Sequence, residues 1–438
     1  MAKQPTDLMR TTSHWDDPEG PRTATGAPSA LIPKAARDPE GPVGVQISQK
    51  STMTINMGPQ HPSTHGVLRL ELEVDGEMVL QCIPHIGYLH TAIEKTAEKE
   101  TYHKAIVLFD RMDYLSPLTN NMAYIGAVEQ LCGIQASERA TIARVLLMEL
   151  SRINSHLVWL GTSAIDLGAT TPFLWSMIQR EQILDIFELA SGVRMMTSYI
   201  QEGGLAKELP LGFDDVVRNF LNGFPKAYKE LRALLERNPI WLGRTEGIGV
   251  ITRQDVLDYG LTGPIARASG VPTDLRKTNP YLGYETYDFD VPVREEGDVY
   301  ARFWCRLMEL GESHRICVQA LERLKTATGE YRISHPLFTA PPKERIHESM
   351  EALIRHFKFF SNGYGPPKGD VYYALESPKG EIGFYVVSDG TERPRRVKVR
   401  PPSFVNLKVI EKIAPGHLIS DVVAIIGSLD IVLGEIDR

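Results

Sequence analysis

Between Val299 and Lys325 the stripe Phe303, Leu307, Leu310, His314, Cys317, Leu321 and Leu324 recurs at alternating steps of four and three. At ~1.5 Å per residue a helix carrying it runs about 40 Å, and an apolar seam of that length demands partner helices. His314, lying on the seam, reads as a core histidine with its hydrogen bonds met rather than as a ligand. A second stripe, Leu146, Leu150, Ile153, Leu157 and Leu160, predicts a helix over Glu138–Leu160, with Ser137 as N-cap and Gly161 at C′. Further helices are expected over His90–Met112, over Asn121–Cys132, and from Pro172, with Thr171 as N-cap and Gly192 beyond the end. Asp214–Arg237 also reads as helix, with a kink or break at Pro225. Ile346, Met350, Leu353, Phe357 and Phe360 mark a last one.

Strands flank this helical stretch. Leu68, Leu70, Leu72 and Val74 alternate with Arg69, Glu71 and Glu73, and Asp75-Gly76 suits a two-residue hairpin turn into a strand from Glu77 towards Pro84. Near the other end Val371–Glu376, Glu381–Ser388 and Arg396–Arg400 read as strands, the first two joined around Ser377-Pro378-Lys379-Gly380. The fold class is therefore α+β: a central helical bundle with small antiparallel sheets towards both ends. The expected division is an extended or disordered arm over 1–42, a β subdomain over 43–88, the bundle over 89–330, and a C-terminal helix with a β subdomain over 331–438.

Composition narrows the function classes. A net charge of −7 argues against a general nucleic-acid binder. No apolar run approaches the roughly 18–20 residues of a membrane span, and no secretory signal is expected. Cys82, Cys132, Cys305 and Cys317 never come closer than twelve positions, so they read as reduced thiols and not as cluster or zinc ligands. Nucleotide-binding glycine loops and a Gly-x-Ser-x-Gly elbow are both absent.

Four stretches could carry chemistry. Gly58-Pro59-Gln60-His61-Pro62-Ser63-Thr64-His65-Gly66 cannot be a regular helix, so His61 and His65 are not a helical zinc pair. The stretch is either a hydrogen-bonded surface turn or a loop whose imidazoles reach a buried ligand. Asp110-Arg111-Met112-Asp113-Tyr114-Leu115-Ser116-Pro117 gathers a cation, two carboxylates, a phenol and a hydroxyl at a helix end, and Asp110 reads as a capping or ion-pair residue. Asp166 is expected in an apolar loop, Ala164–Gly168, where a carboxylate needs a partner. The C-terminus, Ser428–Arg438, reads as lacking a flexible tail and is expected to dock into the core. The basic run Arg393, Arg395, Arg396, Lys398 and Arg400 is a solvated strand face or a docking surface for an acidic partner.

Together with Pro84–Lys95 (PHIGYLHTAIEK), Leu167–Pro172, Ser269–Gly270, Gly283–Pro292 (GYETYDFDVP), Pro366–Gly369, Val387–Gly390 and Arg400–Leu407 (RPPSFVNL), these segments resemble the 49-kilodalton (D) subunit of respiratory complex I, the proton-pumping NADH:quinone oxidoreductase. The likeness covers Thr54 to Arg438. That family is itself similar to the large subunit of NiFe hydrogenases, which hold their metals with an early and a late CxxC pair. Here Asp113 and Ser116 stand at the early pair, and Val432 and Glu435 at the late one. A site needing four thiolates has none, so the resemblance keeps the hydrogenase-like fold and rejects the hydrogenase chemistry.

The resemblance implies that the vacated metal cavity is a quinone headgroup site, facing a 4Fe–4S cluster held by a partner chain, with no cofactor and no metal ligated by this one. It assigns Tyr114 and His65 as donors to the quinone oxygens, and Asp166 as the carboxylate that orients His65 and favours its charged form. His61, Arg111, Asp113, Ser116, Met196 and Val432 would line the pocket or face the cluster. Many relatives carry a histidine at the position of Met196, which cannot titrate. Implied partners are the small iron–sulfur (B) subunit, the C subunit, the membrane-embedded H subunit and the membrane quinone, at the cytoplasmic face of a bacterial inner membrane. Two rival readings remain: a redox-silent adaptor on the same scaffold, and a quinone site fed by ferredoxin or a deazaflavin instead of NADH.

Overall fold

The computed structural model describes residues 52–60, 66–335 and 338–438. The arm expected over 1–42 lies outside the described residues, as do His61 and His65.

Strands β1 (Met53–Met57), β2 (Arg69–Asp75) and β3 (Met78–His85) pair antiparallel in that order. Leu68, Leu70, Leu72 and Val74 are fully buried, as their alternation predicts. Each such side chain contributes about 1.5–3 kcal/mol relative to exposure. Asp75 pairs with Met78, so the turn is Gly76-Glu77, one residue later than expected, with Gly76 at φ 63°. The register is set by the buried face, and the positive φ then falls on the glycine of the turn.

The long helices are α3 (Pro117–Cys132), α4 (Glu138–Asp166), α5 (Thr170–Ser191), α6 (Phe213–Leu235) and α7 (Val299–Leu324). Helix α4 packs against both α5 and α7, and α6 closes the group against the same two. The Ser137 hydroxyl caps α4 by accepting from the Ala140 amide at 3.1 Å. Helix α4 does not stop at Gly161 but runs to Asp166, so that carboxylate ends a helix and does not sit in a loop. The reason is packing. A Cβ on Gly161 would lie 3.2 Å from Phe173 Cδ2 and 3.4 Å from Ser176 Cβ, so the glycine lets α5 approach closely.

Pro225 neither breaks nor ends α6. A proline cannot donate to the carbonyl four residues back, here Leu221. His314 Nε2 on α7 donates to that carbonyl at 2.8 Å, and its ring stacks on Phe224. The core-histidine reading holds, and its partner is the carbonyl that the proline frees.

The region expected as one helix over His90–Met112 is two, α1 (Ile93–Ala97) and α2 (Tyr102–Phe109), separated at Thr101, whose ψ of 155° is extended. Glu94 and Glu98 face the strand β8 (Arg396–Arg400) and accept from its Val399 and Val397 amides, at 3.0 and 3.4 Å. They also bind Lys398 and Arg396, so those two basic residues are paired within the chain. A two-residue hairpin, β4 (Ile200–Gln201) with β5 (Gly204–Leu205), precedes α6. Strands β6 (Gly369–Ser377) and β7 (Gly380–Ser388) complete the second three-stranded sheet in the order β6-β7-β8, and it packs on α3.

The last helical stripe forms a short helix, Lys343–Glu348, and then α8 (Met350–Ser361). Its buried side is Ala352 and Phe359, whereas Met350 and Phe357 are 67% and 69% exposed in this chain. Helix α9 (Ile419–Leu429) and the turn α10 (Leu433–Asp437) carry the C-terminus into the core beneath the first sheet, with Ile425, Ile426, Leu429, Leu433 and Ile436 packed against its strands. No helix among the described residues is long and apolar enough to cross a membrane.

Candidate functional site

The loop Arg111–Ser116 joins α2 to α3 and is held by side chains beneath it. Asn154 Nδ2 donates to the Leu115 carbonyl at 2.9 Å, and Asn120 Nδ2 to the carbonyls of Phe109 and Asp113 at 3.3 and 3.4 Å. Ser116 Oγ donates to Thr119 Oγ1 at 2.7 Å and accepts from Ser151 Oγ at 3.2 Å. Asp110 is buried and accepts from the amide and the hydroxyl of Ser198, at 3.0 and 2.5 Å. It is thus a clamp on the Arg194–Tyr199 segment and not an ion-pair residue. Burial pushes its carboxyl up to about 6 against the pull of Ser198. The clamp fixes half-buried Met196 in the left-handed region, φ 54°, on the flank of the loop.

The C-terminal segment meets this loop directly. A Cβ on Gly434 would lie 2.7 Å from the Met112 carbonyl oxygen and 2.8 Å from that of Arg111, so only glycine permits the contact. Val432 is buried and its amide donates to Ser403 Oγ at 3.4 Å. Glu435 accepts from the Ser403 amide at 2.9 Å. Asp437 accepts from the Gly87 and Leu89 amides at 2.8 and 2.7 Å, which ties the terminus to the Pro84–Lys95 segment. Gly66, the residue after the two histidines, abuts Leu433.

One residue at this junction has no signal in the sequence beyond its turn. Lys379, between β6 and β7, is fully buried and donates to Asp113 Oδ2 and Ser155 Oγ, both at 3.0 Å, with Asp430 Oδ1 4.0 Å away. Burial works against its charge, but Asp113, Asp430 and Glu435 outweigh that and hold its pKa above the ordinary lysine value. Asp430 is raised by burial, opposed by Lys379 and Arg306. Glu435 is pushed up to about 8, first by burial and then by the Asp113 charge. Tyr114, 37% exposed, stands at the outer edge of the group. Its phenol is raised by burial first and by Asp113 second.

The structure therefore brings Asp113, Ser116 and Val432 together, with Tyr114 beside them. Arg111 points away, exposed, and donates to the Val107 carbonyl at 2.6 Å. Asp166 ends α4, eleven residues beyond Ser155, or about 16 Å along the axis. Behind the junction the bundle holds further buried charge. Arg306 lies 3.6 Å from Asp430, His156 bonds Glu309 at 2.9 Å, and Arg267 bridges Glu309 and Glu376 at 2.6 and 2.8 Å. Among the described residues no three of His, Cys, Asp or Glu gather as metal ligands.

Residues 166–438 match the family described as respiratory-chain NADH dehydrogenase, 49 kDa subunit. This chain belongs to that family. It is 57% identical over 391 residues to the second NADH-quinone oxidoreductase D subunit of Roseiflexus sp. (strain RS-1), covering 89% of this chain and 94% of the relative. The D subunit of the same enzyme from Geotalea uraniireducens (strain Rf4) is 54% identical, covering 90% of this chain and 100% of the relative. The second D subunit from Chloroflexus aurantiacus is 55% identical over 388 residues, which cover 88% of this chain and 94% of the relative. The match spans most of the bundle, the second sheet whose turn carries Lys379, and the C-terminal segment that carries Asp430.

Proposed function

We propose that this chain, within a proton-pumping NADH:quinone oxidoreductase, forms the quinone headgroup site at the junction of Arg111–Ser116 with Asp430–Glu435, on a scaffold shared with the NiFe hydrogenase large subunit. The observation that carries the reading is the Lys379 ammonium, buried between Asp113 and Asp430 directly behind the phenol-bearing loop. Reduction puts negative charge on the quinone oxygens, and a fixed cation in a poorly solvated site favours that charge. Electrons would come from a 4Fe–4S cluster in a neighbouring iron–sulfur chain, approached from the Met196 side.

This chain's part is position and protons. The Tyr114 phenol donates to one carbonyl oxygen, and its raised pKa keeps the proton in place until charge arrives. His65, outside the described residues, serves the other oxygen, with Asp166 fixing its tautomer. The Glu435 carboxyl, close to the buried ammonium, is biased by burial and by the Asp113 charge towards keeping its proton. Arg111, His61, Asp113, Ser116 and Val432 shape the pocket or the cluster side. The small iron–sulfur (B) subunit, the C subunit and the membrane-embedded H subunit are the proposed neighbours, with the chain peripheral at the cytoplasmic face.

Tyr114→Phe in the assembled complex tests the reading. Losing one hydrogen bond to a charged oxygen removes roughly 1.5–3 kcal/mol, so quinone reduction should fall ten- to hundredfold while NADH oxidation by an artificial acceptor persists. An unchanged quinone rate with normal assembly means that the chain is an adaptor.

A further inference from the structure

The second sheet has two outer edges, and they end differently. A bare sheet edge is a row of unpaired N–H and C=O groups, ready to pair with another strand. On the β8 side the row is closed, because the Glu98 and Glu94 carboxylates accept from the Val397 and Val399 amides. On the β6 side only the end next to the turn is closed. There the Glu376 N–H donates to the Tyr281 hydroxyl at 3.1 Å, and the Glu376 C=O accepts from Arg152 Nη2 at 2.7 Å.

Those two bonds also fix the way the strand faces. β6 and β7 pair in continuous register, from Gly369 opposite Ser388 to Ser377 opposite Gly380. In an antiparallel ladder alternate residues bond the partner strand, and those between them turn N–H and C=O outward. Glu376 faces outward, so Ala374 and Tyr372 do as well. Among the described residues no group takes the N–H or C=O of either. The usual protections of an edge are missing too: β6 runs nine residues with no proline, no lysine and no bulge.

This stretch borders a groove of about 940 Å³, lined by Tyr372–Ala374, by Asn279–Gly283 and by Gly126 and Gln130 of α3. Tyr373 seats on Gly126, where a Cβ would lie 2.2 Å from its ring, so β6 rests directly on α3. Opposite, Leu282 and Gly283 both take left-handed backbone, φ 50° and 77°, which turns their segment along the groove. Charge narrows the occupant. Arg144, the one lining cation, is taken up by Glu129 at 2.6 and 3.0 Å and by the Gln201 and Gly204 carbonyls. Glu285 also lines the groove, exposed and in no ion pair among the described residues. Asp370, exposed as well, lies two residues from Tyr372 on the same edge. A second copy of the chain would bring the same acidic edge, whereas a basic segment complements it.

We propose that the free edge of β6 is a strand-addition site, taking an extended, Lys- or Arg-bearing segment of a neighbouring subunit of the oxidoreductase. The segment lies in the groove as a fourth strand. Its backbone exchanges a pair of hydrogen bonds with Tyr372 and another with Ala374, and its cation meets Glu285 or Asp370. The proposal needs only that the chain belongs to a multisubunit enzyme, so it stands or falls apart from the quinone site.

The test uses the assembled complex. Tyr372, 50% exposed, is replaced by the photoreactive benzoylphenylalanine, and the cross-linked peptide is read by mass spectrometry. One segment of another subunit, containing Lys or Arg, should be captured. Ala374→Pro removes an outward N–H that β7 does not use, a position at which an edge strand tolerates proline. It should cut the yield of that cross-link about tenfold. Glu285→Lys, on the exposed side of the groove, should also lower the yield, most at low ionic strength. Capture of residues 1–51 or of a second copy of this chain alone, capture of a segment without Lys or Arg, or no capture at all overturns the proposal. So do yields that neither substitution changes.

Discussion

The Lys379 ammonium and the Asp113 carboxylate lie 3.0 Å apart across 266 residues of chain, each fully shielded from solvent. The pair joins the turn between β6 and β7 to the loop between α2 and α3. It sits where the Arg111–Ser116 loop meets the Asp430–Glu435 segment. Removing one partner of such a pair strands the other, at a cost of about 3–5 kcal/mol. Lys379→Met should therefore lower the thermal midpoint of the assembled complex, or its yield. Adding Asp113→Leu should restore part of the loss, although not quinone reduction. A single variant as stable as the parent would show that the pair carries no such weight.

Glu435 offers a pH test with a definite sign. Its carboxyl is raised from the ordinary 4.5 to about 8 by burial and by the Asp113 charge. An unfolded chain gives up that proton at lower pH than the folded one. The folded state is thus favoured below about 4.5, and the contribution is lost as pH rises through about 8. Glu435→Gln keeps the acceptor for the Ser403 amide without the charge. It should raise the thermal midpoint at pH 8 and leave it unchanged at pH 4.5, read by melting curves of the two complexes side by side.

His314 and Pro225 can be tested as a couple. His314→Phe leaves the Leu221 carbonyl buried and unbonded, which costs about 1–3 kcal/mol. Pro225→Ala supplies a backbone N–H that can take the same carbonyl, so the double variant should recover most of the loss. Burial also lowers the His314 pKa from 6.5 to about 4, against the pull of the Leu221 bond. The unfolded chain binds that proton first, so this residue should erode stability as pH falls from 6.5 towards 4, and His314→Phe should remove that erosion. Independent, additive effects of the two substitutions would rule out the shared carbonyl.

Met196 predicts a redox behaviour. Held at the loop flank by the Asp110 clamp on Ser198, it presents a thioether, which cannot titrate, on the side from which the cluster is proposed to approach. The midpoint potential of the neighbouring cluster should vary little with pH, and Met196→His should introduce a pH slope. Redox titration of the isolated complex across pH 6–8 reads both, and a steep slope in the unmodified protein would contradict the expectation.

Much of the architecture is legible in the chain because periodicity is local. A 4-3 stripe specifies a helix and its buried side wherever it occurs, and it locates α4 and α7 within a few residues. Alternation does the same for β2, with its apolar side chains buried. The sequence segments around Asp113, Ser116 and Val432 also mark residues that the fold draws together. What the sequence cannot decide is which partner meets a given face. Gly161 has the place of a helix end in the chain, yet it is a contact with Phe173. The α8 stripe has the right period but its large residues face outward in this chain. Lys379 reads as a turn residue, and only the meeting of β6, β7, α4 and the Arg111–Ser116 loop makes it the buried cation of the site. Spacing along a chain encodes secondary structure. The charge on a side chain, and what it can do with it, depend on groups hundreds of residues away that tertiary packing alone brings within a few ångströms.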